Sequence, residues 1–264
     1  MNKNTAMMWA GQGPVMIGTY DPSRGSLATG NLVDLYRVGC VTSQLNTSVS
    51  ITTTSIKESC TGKRLTIAQR EDERVMTVSL AMVQFSGRTL AAALFGEAVD
   101  VAGGTVTGEV LPELTAGDYF TLRHPRVDDL VIVDSTAGTP LTYVEDTHYE
   151  IEDAGHARMK LLAHPVSHVV PLLADYSYGG YVNIAAFSES RVERGIIFNG
   201  VNQDGQKGRL IIPRIALTLD GDFGWVGEEE ATLTMSGEAM FVPELESDGD
   251  YGGFARVNLF DNAP

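Results

Sequence analysis

Val75-Met76-Thr77-Val78-Ser79-Leu80-Ala81-Met82-Val83-Gln84-Phe85, followed at once by Ser86-Gly87-Arg88-Thr89-Leu90-Ala91-Ala92-Ala93-Leu94-Phe95-Gly96, is the stretch whose reading decides the fold. Met76, Val78, Leu80 and Met82 alternate with Thr77, Ser79 and Ala81, the period-two pattern of a strand with one face buried. Ser86 then offers an N-cap hydroxyl, Leu90 and Leu94 share one helical face, and Gly96 stands where a helix-ending glycine is expected. One long strand therefore feeds one short helix. Before it lies a polar, charged run, Ile56-Lys57-Glu58-Ser59-Cys60-Thr61-Gly62-Lys63-Arg64-Leu65-Thr66, which reads as a loop.

Working outward, strand signals recur at Val15 to Tyr20, Leu32 to Val38, Ser48 to Ile56, Val131 to Asp134, Val169 to Tyr178 and Tyr181 to Phe187. They continue at Arg194 to Asn199, Arg209 to Leu219, Ala231 to Met240 and Phe254 to Leu259. Gly179-Gly180, Asp204-Gly205 and Asp220-Gly221 punctuate them as turns. Ser86 to Phe95 is the one helix the pattern supports, so the expected class is mainly β.

The 264 residues suffice for one large β domain or a core domain with an insert, and 43% hydrophobic residues argue against disorder. The apolar stretch Ala6 to Ala10 is too short for a signal-peptide core, and Gly11-Gln12-Gly13 interrupts it. No segment approaches the roughly 20 apolar residues that span a bilayer. A soluble protein without a signal peptide and without a membrane partner is expected. Cys40 and Cys60 have neither CxxC spacing nor a histidine pattern, which argues against zinc and, in a reducing compartment, for free thiols.

Charge is distributed unevenly. Residues 97–190 carry 15 acids against 4 Lys or Arg, a net of −11, while the rest of the chain carries 19 acids against 15, a net of −4. An overall charge of −15 disfavours capture of nucleic acid, which needs a basic patch to displace counterions from phosphate, but it permits a surface that DNA slides past.

Two strand faces are rich in hydroxyls and poor in charge: Ser48, Ser50, Thr52 and Thr54 on one strand, and Thr232, Thr234 and Ser236 on another. A monomeric β protein guards exposed strands with lysine, bulges or proline, and Pro213 is a candidate guard. These faces admit two readings: the solvent side of a sandwich, or strands that continue across subunits in a closed ring.

Lys57 to Thr66, the strand ending at Phe85 and the helix ending at Gly96 resemble the first half of phage tail tube proteins, also called major tail proteins. Glu193-Arg194-Gly195-Ile196-Ile197-Phe198-Asn199-Gly200, the Asp204-Gly205 hairpin, Arg209 to Thr218, and Ala231 to Met240 with Gly237-Glu238-Ala239 resemble the second half. The resemblance covers roughly residues 30–96 and 190–242 and rests on the order of elements rather than on one rigid motif. Between the halves, Thr147-His148-Tyr149-Glu150-Ile151-Glu152 through Met159-Lys160-Leu161-Leu162, then Asp175-Tyr176-Ser177-Tyr178, is similar to a β module of phage structural proteins, with His148 where an aspartate is usual. It implies a tube core over 1–96 and 191–245, an acidic β-rich insertion over 97–190 whose charge faces outward, and a C-terminal arm over 246–264.

The resemblance further implies a tail-tube β-sandwich or barrel, hexameric rings whose inner sheets join into one barrel, and ring stacking into a conduit for DNA ejection. It leans to the non-contractile, siphovirus type. The partners implied are further copies of the chain, tail tip or initiator and tail terminator proteins, a tape measure protein in the lumen, and genomic DNA in passage only. The place implied is the virion tail, assembled in the host cytoplasm. The loop from Ser55 to Arg70 is the element that family members use against the next ring. Lys57, Glu58, Lys63, Arg64, Arg70, Glu71 and Asp72 are candidate interface charges there, a plain solvated loop being the alternative. Glu244, Glu246, Asp248 and Asp250 lead into a glycine-rich tail, in which Phe254 to Phe260, with Phe254 and Phe260 as its aromatic anchors, is expected to dock on a neighbour.

Catalytic patterns fare poorly. Gly11-Gln12-Gly13-Pro14-Val15-Met16-Ile17-Gly18 has the wrong spacing for a dinucleotide loop. His164 and His168 bracket Pro165 and lack the glutamate of a metalloprotease helix, and His148, His156 and His164 recur every eight residues without a metal pattern. Calcium loops begun at Asn202 or Asp220 would place Lys207 or Trp225 where glycine is needed, leaving only a weak candidate at Asp248 and Asp250. No catalysis and no cofactor are expected. Two alternatives stay open: a decoration or carbohydrate-binding β module built around Trp9 or Trp225, and an esterase-like or lyase β enzyme whose Ser, His and acid converge only in the fold.

Overall fold

The computed structural model describes residues 9–39, 42–190 and 192–260. The chain is mainly β and divides into two compact units: Met1–Glu97 with Ile184–Pro264, and Ala98–Asn183. Among the described residues no helix is long and apolar enough to cross a membrane.

The first unit opens with β1 (Val15–Tyr20), a 3-10 turn over Leu27–Thr29, β2 (Leu32–Arg37), β3 (Thr42–Lys57), β4 (Thr66–Met82) and α1 (Gly87–Ala93). The second unit holds β5 (Ala98–Val101), β6 (Gly104–Val110), β7 (Tyr119–Thr121), β8 (Val127–Val133), β9 (Thr142–Tyr143), β10 (Tyr149–Asp153), β11 (Arg158–Leu161), β12 (Leu173–Tyr178) and β13 (Tyr181–Ile184). The chain then resumes the first unit with β14 (Arg194–Val201), β15 (Lys207–Ile215), β16 (Thr218–Leu219), β17 (Leu233–Glu238), α2 (Pro243–Glu246) and β18 (Arg256–Leu259).

In the first unit two antiparallel sheets, ordered β18-β15-β14-β1-β2 and β16-β17-β4-β3, enclose one core. Val78, Leu80 and Met82 of β4 are fully buried, as their alternation requires, and they share that core with Ile17, Ile196, Ile212, Leu233 and Met235. The segment read as one strand from Arg209 to Leu219 is two: β15 belongs to one sheet and β16 to the other, so the chain changes sheets between Ile215 and Thr218. Pro213 is not an exposed guard. It is buried, beyond the end of the β15–β18 pairing at Ile211 and within the bulge between the Ile196–Ile212 and Arg194–Ile215 pairs, where no ladder donor is lost.

Ser86 caps α1 as expected, its Oγ accepting the Thr89 N–H at 3.2 Å. The left-handed residue at the helix end is Phe95 (φ 52°), not Gly96, and the Gly96 N–H reaches back to the Ala91 carbonyl at 2.9 Å. Glycine is needed at 96 for a different reason: a Cβ there would stand 2.3 Å from the Ala185 carbonyl oxygen.

Half of the loop expected from Ser55 to Arg70 is strand. β3 and β4 pair from Thr42–Met82 to Lys57–Thr66, with register shifts at Thr42/Gln44, Thr52/Thr53 and Ile56/Lys57, leaving only Glu58 to Leu65 as the turn. Residues 66–74 lack the apolar alternation that marks strands in sequence, and here cross-strand pairing rather than burial holds them extended. The C-terminal segment is likewise not a free arm. β18 pairs with β15 from Gly208–Leu259 to Ile211–Arg256, the Tyr251 hydroxyl donates to the Leu27 carbonyl at 2.6 Å, and Tyr251 is buried with Leu245 and Val242.

The second unit has sheets ordered β10-β11-β7 and β6-β12-β8-β9 over its own core of Phe120, Ile132, Met159, Leu161, Ala174 and Tyr176, and β5 pairs with β13 separately. Several of its strands are five residues or shorter, and β5, β6, β7 and β9 carry no period-two signal strong enough to find in sequence. Val169 to Tyr178 shortens to Leu173–Tyr178, after Pro171, which has no N–H to give a ladder.

Candidate assembly surface

β3 and β4 are 16 and 17 residues long, but only their inner parts lie under the opposite sheet. From the Ile51–Arg74 pair outward the two strands form a ribbon exposed on both faces. Register separates those faces. Leu45–Leu80, Thr47–Val78, Val49–Met76 and Ile51–Arg74 continue the core side, so Val49 and Ile51 carry the apolar stripe beyond the core and stand 69% and 51% exposed. Asn46–Ser79, Ser48–Thr77, Ser50–Val75 and Thr52–Glu73 form the other side, which β17 extends with Thr234, Ser236 and Glu238. Across three strands that face is mostly hydroxyl and amide, interrupted by Ala81 and Val75, with Glu238 its single charge until Glu73 on the ribbon. Thr232 precedes β17 and is not part of it.

β3 is also the last strand of its sheet, so its outer edge has no partner among the described residues. One lysine, Lys57, at its far end is the only cation on it, and it has no proline. Edges of this length without guards template further pairing.

The candidate charges fall into two groups. Arg70 pairs with Asp72 at 2.9 Å and Arg74 with Glu71 at 2.5 Å, while Thr54 donates to Asp72. The Thr54 hydroxyl, then Arg70, holds the Asp72 carboxyl below its ordinary pKa. Glu58 is spent inside the turn. Its carboxylate accepts from the Thr61 hydroxyl and from the Thr61 and Cys60 N–H groups at 2.9 and 2.8 Å, and these donors, the Thr61 hydroxyl first, lower its pKa. Lys57, Lys63 and Arg64 remain without an ion pair among the described residues, so the ribbon's tip is basic. Cys60, also at the tip, is an exposed free thiol; Cys40 lies outside the described residues.

Phe254 and Phe260 have different surroundings. Phe254 packs on Phe241 with centroids 5.5 Å apart and lies against the core, whereas Phe260 stays half exposed and its N–H donates to the Lys207 carbonyl at 2.9 Å. Glu193, in the quoted motif, grips Arg214 through two bonds of 2.6 and 2.7 Å, an internal tie between the chain entering β14 and β15.

Sequence reasoning missed Val49, Ile51 and Ile67 (67% exposed), although the Val49–Ile51 alternation with the serines was legible. It also used Trp225 only as an isolated aromatic. Trp225 and Val226 are 75% and 97% exposed in the β16–β17 loop, and Trp225 leans edge-on against Phe223, which leans on Phe85 at the core.

Potential chemical centres are occupied by structural bonding. The His164 Nε2 donates to the Leu114 carbonyl at 2.9 Å, its Nδ1 accepts the Tyr143 hydroxyl at 2.8 Å, and its ring stacks on His168. His148 accepts the Val144 N–H, and His156 contacts Asp153 at 2.6 Å. Asp250 pairs with Arg256, and Asp248 accepts the Asp250 N–H. Among the described residues no group of three or more His, Cys, Asp or Glu side chains converges to hold a metal. An open groove of about 850 Å³ lies beside the base of β3, walled by Trp9, Leu45, Phe198, Leu210, Val257 and Leu259, with Arg209 the one titratable side chain among its lining residues.

Fold and surface thus define a two-unit, mainly-β protein that carries a protruding β ribbon and an unguarded sheet edge. Residues 8–258 match a protein family described as "Protein of unknown function UCP028589", and the chain belongs to it. No curated protein matches the chain.

Proposed function

We propose that this chain is a structural subunit of a phage tail tube of the siphovirus type, which self-assembles into hexameric rings that stack into the conduit for DNA ejection, and that it catalyses no reaction. The observation that carries the reading is the β3–β4 ribbon. An isolated two-stranded ribbon is marginal in water, and this one also exposes Val49, Ile51 and Ile67. A second copy covering the apolar side and pairing with the β3 edge removes both liabilities, and cyclic closure removes the edge altogether.

The hydroxyl face of β3, β4 and β17 suits a lumen. As far as the Thr52–Glu73 pair it offers phosphate no cation and bases no aromatic platform, and Arg70, the first cation beyond, is paired with Asp72, so genomic DNA and a tape measure protein pass without binding. Tail tip and tail terminator proteins would cap the two ends, and the assembled protein would reside in the virion tail after assembly in the host cytoplasm.

Negative-stain electron microscopy of the concentrated protein, with light scattering on the same sample, tests this. Hollow tubes or six-fold rings are expected. A chain that stays monomeric alone and on added tail tips would refute the proposal and favour a decoration module.

A further inference from the structure

We infer that the basic tip of the β3–β4 ribbon docks on the β16–β17 loop of a second copy, with Trp225 and Val226 as the apolar anchor and the acids around them as the charge partner. The inference rests on the self-assembly reading and adds to it the surface that receives the ribbon.

The two surfaces are opposite in charge and alike in apolar exposure. Residues 57–65 hold Lys57, Lys63 and Arg64 against Glu58 alone, and Glu58 is tied down within the turn. Exposed Leu65 and Ile67 lie beside them. Residues 220–232 hold Asp220, Asp222, Glu228, Glu229 and Glu230 with no cation. Trp225 and Val226 stand out from that acidic loop, and the Phe85–Phe223–Trp225 edge-to-face series fixes the indole in place without covering it. An exposed, pre-positioned tryptophan ringed by charge is the composition of a binding anchor.

Topology makes the partner a second copy rather than the same chain. β17 begins at Leu233 opposite Met82, so the β16–β17 loop leaves the sheet at the Met82 end of β4. The tip lies at the Thr66 end of the same strand. β4 has 17 residues, which at 3.3 Å each separates the two surfaces by roughly 50 Å along one sheet. They cannot meet within a subunit, and a tip-to-loop contact between subunits is head-to-tail, the arrangement that propagates.

Charge exchange at exposed turn positions tests this on the full chain. K63E/R64E should raise the critical concentration for assembly about tenfold, the effect of one to two well-placed charge pairs with their apolar neighbours. Adding E228K/E229K to the same chain should bring it back to within about threefold of the parent. In a Cys40→Ser background, Val226→Cys and native Cys60 should be joined between copies by a short bis-maleimide, giving a covalent ladder on denaturing gels, whereas Val110→Cys should not. Assembly that proceeds normally without a Val226→Cys ladder, or a K63E/R64E defect that E228K/E229K does not rescue, would overturn the docking assignment and leave the tube reading standing. Failure of the parent to assemble under any condition would overturn both.

Discussion

Replacing both Val49 and Ile51 by threonine tests whether the ribbon's apolar side is an interface. Threonine keeps the β-branched shape and strand preference of both residues while removing their apolar character, so the ribbon itself should be preserved. Full burial of a valine or isoleucine side chain is worth about 1.5–3 kcal/mol. With 69% and 51% of these residues still open to solvent, the portion left for a neighbour to cover amounts to about 2–3 kcal/mol for the pair. Each added subunit would make this contact once, so V49T/I51T should raise the critical concentration about 30- to 150-fold, one decade per 1.4 kcal/mol. The assay is pelleting across a concentration series, paired with chemical denaturation of the monomer. Monomer stability should stay within about 0.5 kcal/mol of the parent, since neither side chain is buried in the subunit. An unchanged critical concentration would show that the stripe faces solvent in the assembly, and a large loss of monomer stability would show that it packs within the chain. Either result refutes the argument.

Other outcomes follow from the two cores. Leu80→Ala removes a fully buried side chain from the shared core of the first unit and should cost about 2–5 kcal/mol in urea denaturation. Gly237→Ala should lower the melting temperature strongly, because a Cβ there stands 2.3 Å from the Ala216 carbonyl oxygen and backbone has to move. Asp134 is fully buried in the second unit. Burial pushes its pKa up, but the Thr136 hydroxyl at 2.5 Å and the Leu141, Val169 and Thr136 N–H groups outweigh that and bring it down to about 2 from 3.8. A depressed carboxyl stabilises the fold above its unfolded pKa, so this contribution should be present above about pH 4 and vanish as the pH falls through about 2. Melting curves between pH 5 and 2 should show that loss, and Asp134→Asn should flatten the slope while lowering stability at neutral pH, since an amide nitrogen would then face backbone donors.

Sequence made the central strand and its helix legible because Val78, Leu80 and Met82 satisfy a period and Ser86 satisfies a cap, both local requirements. It could not show that Thr66 to Arg74 is strand. That segment is held by pairs such as Thr54 with Asp72 and Arg70 with Asp72, whose members are far apart or unremarkable in sequence. The free arm expected at the C-terminus was misread for a related reason: a glycine-rich, acidic approach resembles a loose tail, but Tyr251 and the β15 edge fix it from a distance. At the candidate surface the charges were recognisable by type. Which of them remain available, Lys57, Lys63 and Arg64 rather than Glu58, Glu71 or Asp72, depends on internal partners that only the fold supplies.

The ribbon and the core sheet are made of the same two strands, whose pairing shifts register at Thr52/Thr53 but does not stop. A force applied along β4 at the tip therefore loads the β3–β4 and β4–β17 ladders in shear, with many hydrogen bonds sharing it at once, instead of peeling them one by one. Sideways displacement of the tip has a long lever behind it and a short anchored end at Val78, Leu80 and Met82, so it is converted into tilt of the whole sheet. The subunit is stiff along the strand axis and compliant across it, a directional elasticity set by where the opposite sheet stops.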